Sequence, residues 1–153
     1  MVALAVPPES VCKPLTWAEV KKMQESGWVS FGAHTMHHPI LACLRDPQEV
    51  QREVSDCRAV LEEHLGQPVR AFAYPVGKPE HFGQQGLHSV RAAGYAWALT
   101  TLRGTNTRQS DLHQLRRVSS VVNRHWLVIA AETSGAWYFF SPLWKKKSAA
   151  SLR

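Results

Sequence analysis

The sequence is poor in the features that mark several protein classes. Its three cysteines, Cys12, Cys43 and Cys57, contain no CxxC pair, and their odd number argues against a complete disulfide framework and slightly favours a reducing compartment. Residues 1–11 are apolar but hold two prolines and no basic residue, which is not the pattern of a signal peptide. The aromatic stretch Trp126–Trp144 is interrupted by polar residues, glycine and proline, whereas a membrane-spanning helix needs about 20 mostly apolar residues.

The overall composition indicates one globular domain with a basic surface. The chain has 153 residues, is 44% apolar and 20% charged, and carries a formal charge of +6, part of it from Lys145–Lys147. No helix-turn-helix, zinc-finger or RNA-binding signature accompanies this charge, so no nucleic acid partner is expected. A membrane surface is also not favoured, because a closing core helix and a basic tail account for the aromatic residues and lysines. The default compartment is the cytoplasm, and the cell envelope is the alternative if a leader precedes these residues.

Two helices are predicted from their capping residues. Thr16 followed by Glu19 is a capping box, so a helix should begin at Trp17 and end near Ser26, before Gly27. A second helix should begin after the N-cap Asp46, with proline at its first position, and close at Gly66. Its apolar residues recur at helical spacing and form one stripe that faces the core: Val50, Val54, Cys57, Leu61 and Leu65.

The remaining segments predict strands alternating with helices. Strands are expected at 28–32, 69–74, 95–101 and 115–122, a helix at 87–93 after a loop rich in glycine and proline, and a last helix from Asn123. Such alternation is typical of an α/β fold with a mainly parallel sheet. Functional groups gather at the carboxyl ends of parallel strands. The loops after Gly32, Tyr74 and Thr101 are therefore the candidate sites.

Three histidines lie within five positions of the first of these loops. Neutral imidazole is a good zinc ligand, and close spacing allows two rings to converge on one ion, either His34 with His38 or His34 with His37. Pro39 is expected to hold the backbone of His38 in an extended region, which places the cluster in a loop. The hydroxyl of Thr35 and the loop backbone are candidates to orient the ligands. A polar loop with exposed imidazoles is the alternative.

The run from Ser30 to Pro39 resembles the second motif of the polysaccharide deacetylases, the NodB homology domain of carbohydrate esterase family 4. That motif is His, Ser or Thr, any two residues, His, Pro, and it is filled by His34, Thr35, His38 and Pro39. Segments that resemble one branch of this family follow in the same order over residues 15–120: Leu15–Gly27, Leu41–Pro68, Phe72–Gly77, Ala92–Tyr95 and Leu115–Arg117.

The resemblance implies the fold, the ligands and the substrate. The fold would be a partial distorted (β/α) barrel of the deacetylase type that lacks the N-terminal strands, at residues 15–140, between an N-terminal extension, 1–14, and a basic tail, 141–153. His34 and His38, and not His37, would hold zinc or another divalent transition metal. The loop with Tyr74, Pro75 and Val76 would line the groove for a glycan, although Tyr74 could equally be an ordinary strand-end aromatic.

The acidic half of the family's site has no counterpart in the sequence. The family's first motif, Thr-Phe-Asp-Asp-Gly, is implied to supply a general base and the third zinc ligand. The chain contains only three aspartates, Asp46, Asp56 and Asp111, and Asp111 is the one candidate substitute. The prediction is therefore a truncated zinc-dependent deacetylase that binds metal weakly and has little or no activity alone. A degenerate domain that binds carbohydrate or protein is the alternative, and self-association or a partner supplying the missing half-barrel is expected.

Overall fold

The computed structural model describes residues 13–118 and 125–135. The α-helices are α1 (Trp17–Glu25), α2 (Pro47–Leu65), α3 (Pro79–Ala92) and α4 (Trp126–Thr133). The strands are β1 (Ala71–Ala73), β2 (Trp97–Arg103) and β3 (Leu115–Arg117), and single 3-10 turns lie at Leu41–Cys43 and Leu112–Gln114. Helices and strands thus alternate from α2 to β2, as the sequence predicts, and a 3-10 turn precedes β3.

The first two helices follow their capping residues. The Thr16 hydroxyl accepts the backbone N–H of Glu19 at 3.3 Å, and the Glu19 carboxylate accepts the backbone N–H of Thr16 at 2.7 Å. Asp46 accepts the backbone N–H of Gln48 at 2.9 Å, and Gly66 ends α2 in the left-handed region at φ 66°. Both predicted helices are confirmed, because local hydrogen bonds satisfy the free N–H groups at their first turns.

The sheet is parallel, in the order β1-β2-β3. Residues 28–32 are not a strand as expected: a single bridge, from Ala33 to Phe72, joins this segment to the edge of β1. The bridge consists of the Ala33 N–H to Ala71 O bond and the Ala73 N–H to Ala33 O bond, both 2.9 Å. Within the described residues, the segment has a hydrogen-bonded neighbour on one side only, and one pair of bonds does not extend into a ladder.

The third helix starts eight residues before the predicted position. The residues before 87 were expected to be a loop, but they are helical. Proline suits the first turn of a helix, and the side chain of Phe82 is buried in the core. The helix is interrupted at Gly83, whose φ of 59° and ψ of −176° are not helical. At Gly86 an added Cβ would lie 3.1 Å from the Leu41 Cδ1 atom. Gly83 therefore allows the break in the helix, and Gly86 allows Leu41 to approach the helix closely. Neither glycine marks a loop.

The side chains on the two faces of the sheet are buried to different extents. Phe72 and Ala98 are buried and belong to one core with the apolar residues of α2 and α3. Their neighbours Ala71, Ala73 and Leu99 point to the opposite face and are half-buried, since side chains alternate along a strand. The residues that line a cavity on that second face come from residues 30–34, β1 and β2, and none belongs to a helix. Association through this face, with a second copy or a partner, stays a prediction.

A charged network joins the end of α2 to the sheet. The Glu62 carboxylate accepts Arg58 Nε at 2.8 Å and the N–H of the buried Val69 at 2.9 Å, while Arg58 also donates to the carbonyl of Ala93. The hydrogen bond from the Arg58 side chain, followed by that from Val69, holds the pKa of Glu62 below its ordinary value of 4.5. The folded chain therefore binds this proton less readily than the unfolded chain does.

The network predicts a specific acid sensitivity. Because the folded pKa of Glu62 is lowered, its contribution is fully present above pH 4.5 and is lost as the pH falls below that value through the folded pKa. Glu62→Gln should therefore lose stability less steeply than the natural chain in urea titrations between about pH 5 and pH 3. The exposed Glu63 is the control, and Glu63→Gln should follow the natural chain. Parallel curves for the natural chain and Glu62→Gln would contradict the assignment.

Several expectations concern residues outside the described ranges. The end of the last predicted strand, the helix start at Asn123, residues 136–144 of the aromatic stretch and the basic tail lie there. The bounds at 14 and 140 also stay predictions. Helix α4 begins at Trp126. In the described ranges, no helix combines the length and the apolar content that crossing a lipid bilayer requires.

Candidate metal centre

His34 directly follows Ala33, the residue whose backbone forms the bridge to β1. Its Nδ1 lies 2.6 Å from the carbonyl oxygen of Ala73, the last residue of β1. A carbonyl only accepts hydrogen bonds, so Nδ1 carries the proton and the neutral ring keeps its lone pair on Nε2. This is the arrangement by which a second partner orients a metal-binding histidine. The strand therefore sets both the position and the tautomer of His34.

His38 lies next to His34 across a tight turn. The two ring centroids are 4.8 Å apart, with planes inclined at 74°, and both residues are exposed. The Thr35 hydroxyl donates to the His34 carbonyl at 2.5 Å and accepts the N–H of His38 at 3.0 Å. Zinc lies about 2.0–2.1 Å from a histidine nitrogen, so two rings at this separation can reach one ion.

The backbone around this turn departs from its usual conformations. In the described residues three non-glycine residues have positive φ: Thr35 at 67°, His38 at 58° and Val76 at 57°. The expectation of an extended His38 before Pro39 is therefore wrong, although the cluster does lie in a loop. The hydroxyl of Thr35 closes the turn and holds the left-handed conformation. Residues in such sparsely populated regions gather at functional sites, and all three fall in two of the three loops that the sequence selects.

His37 points away from the pair. Its Nδ1 lies 2.6 Å from Glu53 Oε1 on α2, and its side chain is 78% exposed, whereas that of Glu53 is only 12% exposed. Burial alone would raise the pKa of Glu53, but the hydrogen bonds from His37 and Met36 outweigh it and hold the pKa below its ordinary value. The ring of His37 is thus engaged with a carboxylate, and the geometry supports the other two histidines as ligands.

Two histidines are the donors that fit a zinc ion here. The described residues contain no group of three His, Cys, Asp or Glu side chains able to hold a metal. Burial raises the pKa of the Cys57 thiol, which disfavours the thiolate that zinc requires. The donor set therefore fits zinc in type and tautomer but supplies only part of the three or four protein ligands that zinc sites use.

Asp111, the candidate substitute for the missing aspartates, is engaged elsewhere. It accepts Arg91 Nη2 at 2.7 Å, Gln114 Nε2 at 2.8 Å and the N–H of His113 at 3.0 Å. Burial would raise its pKa, yet these partners together hold the pKa below its ordinary value. Asp111 therefore caps the 3-10 turn and joins it to α3, which accounts for it without a role at the metal.

The second loop presents its residues unequally. Tyr74 is 1% exposed, stacks on Phe82 with centroids 4.0 Å apart, and donates its hydroxyl to His113 O at 3.0 Å. Pro75 is also buried, and Val76 is 46% exposed. In this loop a substrate can thus reach the side chain of Val76 directly. Tyr74 and Pro75 are buried beneath the loop and support its backbone. Substrate contact by these three residues stays a prediction.

A cavity of about 300 Å³ opens beside His34, on the second face of the sheet. It is lined by residues 30–34, by all three residues of β1, and by Trp97 and Leu99 of β2. Its walls are mainly apolar. A groove of this size next to two imidazoles can accommodate a small acyl group or part of a sugar ring.

The family model described as polysaccharide deacetylase matches residues 8–98. The chain belongs to the polysaccharide deacetylase family. The chain is 30% identical over 104 residues to the putative polysaccharide deacetylase YxkH of Bacillus subtilis (strain 168), covering 68% of this chain and 36% of that protein. The family suggested by the histidine motif is thus confirmed.

Solved structures agree on the fold. The deacetylase PplD of Streptococcus pyogenes, in complex with acetate, is 28% identical with a TM-score of 0.67 and covers 74% of this chain and 48% of its own. The polysaccharide deacetylase BC0361 of Bacillus cereus is 26% identical with a TM-score of 0.70 and covers 80% and 38%. The chain therefore spans between about a third and a half of these relatives, and the partial deacetylase barrel is confirmed.

Sequence reasoning did not identify two groups at the site. Glu53 lies outside the apolar stripe of the second helix, and the carbonyl of Ala73 carries no side-chain signal. Glu53 lies one position before Val54 of the buried stripe. This position at the edge of the stripe is the one sequence feature that could have indicated a contact with the rest of the fold. Contacts across 16 and 39 positions cannot be inferred from spacing.

Proposed function

We propose that this deacetylase chain binds zinc, or another divalent transition metal, through His34 and His38, and that the complete site hydrolyses N-acetyl or O-acyl groups on a glycan. The observation that carries the proposal is the Nδ1 contact of His34 with Ala73 O, which leaves Nε2 available beside His38. A bound zinc ion would supply Lewis-acid activation of water at neutral pH. Because only two protein donors are proposed, we expect the site to bind the metal weakly.

The chain's own residues serve binding and orientation in this reaction. His34 and His38 hold the metal, and Thr35 fixes the turn between them. The N–H of Val76 donates no hydrogen bond within the described part of the chain, and Val76 is 46% exposed, with a left-handed backbone, in the loop after β1. A backbone N–H so placed can donate to the oxygen of an acyl group as negative charge develops there.

The proposed chemistry lacks a proton carrier. Amide cleavage needs a general base and a proton for the leaving amine, and in the described residues no aspartate lies free beside the histidine pair. Asp111 is bonded to Arg91 and Gln114. We therefore expect little or no hydrolysis by these 153 residues alone, with the acidic groups of the reaction coming from additional protein.

The test compares the natural chain with His34→Ala plus His38→Ala. The natural chain should bind about one zinc ion, measured by equilibrium dialysis so that a weakly bound ion is counted, and the double variant should bind none above background. His88→Ala, which removes an exposed imidazole from α3, is the control and should match the natural chain. No zinc uptake by the natural chain would contradict the metal assignment.

Acetate release from an N-acetylated glycan oligomer is the second measurement. The natural chain should release no acetate above background, because the described residues place no free aspartate beside the histidine pair to act as the base. Release that depends on both histidines would overturn this expectation and would show that the chain is active alone. The same samples thus separate the metal site from the catalytic step.

A non-catalytic role in binding carbohydrate or protein is the second candidate. The apolar cavity beside His34 favours it, because the cavity needs no metal to hold part of a sugar ring. Binding of the oligomer that is equal with zinc and after chelation would support this role. Binding that requires zinc would support the deacetylase site.

A further inference from the structure

The loop that carries the histidine pair is fastened to α2 through one carboxylate. Glu53 Oε2 accepts the backbone N–H of Met36 at 3.0 Å and that of His37 at 2.9 Å. Its other oxygen lies 2.6 Å from the Nδ1 of His37. The Glu53 side chain is only 12% exposed, whereas its partners Met36 and His37 lie at the surface. One side chain thus holds the two residues at the centre of the turn.

The turn needs such an attachment because its backbone is strained on both sides. Thr35 and His38 both have positive φ, and they flank the two residues that Glu53 holds. A β-branched residue in the left-handed region persists only where its surroundings determine it. Thr35 closes the turn internally. In the described part of the chain, Glu53 is the side chain outside the turn that bonds to its backbone.

We propose that Glu53 is a positioning residue that holds the Met36–His37 backbone so that His34 and His38 face one metal ion. The inference rests on the proposed function for the metal itself. It also gives His37 a role in the attachment, because the His37 ring contacts the same carboxylate instead of the metal. Charge-assisted bonds from backbone N–H groups to a shielded carboxylate are stronger than neutral ones, so the attachment can oppose the strain of the turn.

The experiment uses Glu53→Ala and Glu53→Gln in the full chain, with Glu63→Ala as the control on an exposed side of the same helix. Alanine removes every contact, while glutamine keeps an oxygen that can accept the two N–H groups. Zinc affinity by calorimetry should fall about 10–100-fold for Glu53→Ala. It should stay within about fivefold for Glu53→Gln, since only the charge assistance is lost. Glu63→Ala should match the natural chain.

Amide hydrogen exchange in the metal-free chain is the second readout. The amides of Met36 and His37 should exchange faster in Glu53→Ala, while those of α2 residues such as Val54 keep their protection. This result separates loss of the attachment from general unfolding. If the natural chain takes up no zinc, the proposed function fails, and the exchange data alone decide whether Glu53 holds the loop.

Two results would overturn the inference. Unchanged exchange at Met36 and His37 in Glu53→Ala would show that the carboxylate does not hold the turn. An equal loss of zinc affinity in Glu53→Gln and Glu53→Ala, with the amides of Glu53→Gln still protected, would show that Glu53 acts through its charge or as a ligand. The glutamine variant keeps the test decisive even if the alanine variant folds poorly.

Discussion

Replacing Phe72 with alanine should lower the free energy of unfolding by about 3–5 kcal/mol, the range for a large aromatic in a core. Phe72 is 1% exposed at the centre of β1, and its ring lies 5.3 Å from that of Tyr74 and 5.1 Å from that of Tyr95. A small domain has only about 5–15 kcal/mol in total. A large share of the fold's stability should therefore be lost, as a shift of the urea midpoint would show.

Leu99→Ala is the control for this prediction. Leu99 belongs to the same sheet but lines the open cavity and is only half-buried. Its replacement should cost about 1 kcal/mol, because part of its apolar surface already meets water. Equal losses for the two variants would mean that both faces of the sheet are packed to the same extent. That result would contradict the one-sided core.

The second large effect is expected at Gly77, in the loop beside the metal centre. Its φ is 71°, and an added Cβ would lie 2.8 Å from Thr101 Cγ2 and 2.9 Å from Thr101 N. That neighbour cannot withdraw easily, because its N–H donates to Gly77 O and its hydroxyl donates to Val76 O, each at 2.8 Å. Gly77→Ala should therefore cost about 2–4 kcal/mol, combining left-handed strain with overpacking.

Gly27→Ala separates the two causes. Gly27 has a nearly equal φ of 74°, but an added Cβ meets nothing within 4 Å. It should cost only the left-handed strain, about 1 kcal/mol. The difference between the variants in thermal or urea unfolding thus measures the contact with Thr101. A similar loss at both glycines would show that the loop moves freely away from β2.

The sequence by itself determined those parts of the protein that depend on neighbours along the chain. The capping box at Thr16 and Glu19 and the N-cap Asp46 predicted the starts of α1 and α2, because their hydrogen bonds span only two or three positions. The order of the histidine motif and the later segments identified the deacetylase family for the same reason: a motif is a local pattern.

Tertiary structure decided the features that depend on contacts between distant residues. Residues 79–86 carry glycine and proline, which indicate a loop, but Phe82 buries against the core and extends α3 through them. His38 is left-handed because Thr35 closes the turn on it. The tautomer of His34 depends on a carbonyl 39 positions away, and the turn depends on Glu53, 16 positions from His37. The sequence selected the histidines that are proposed to hold a metal, and packing decided how they are held, because a hydrogen bond across the fold leaves no periodic trace along the chain.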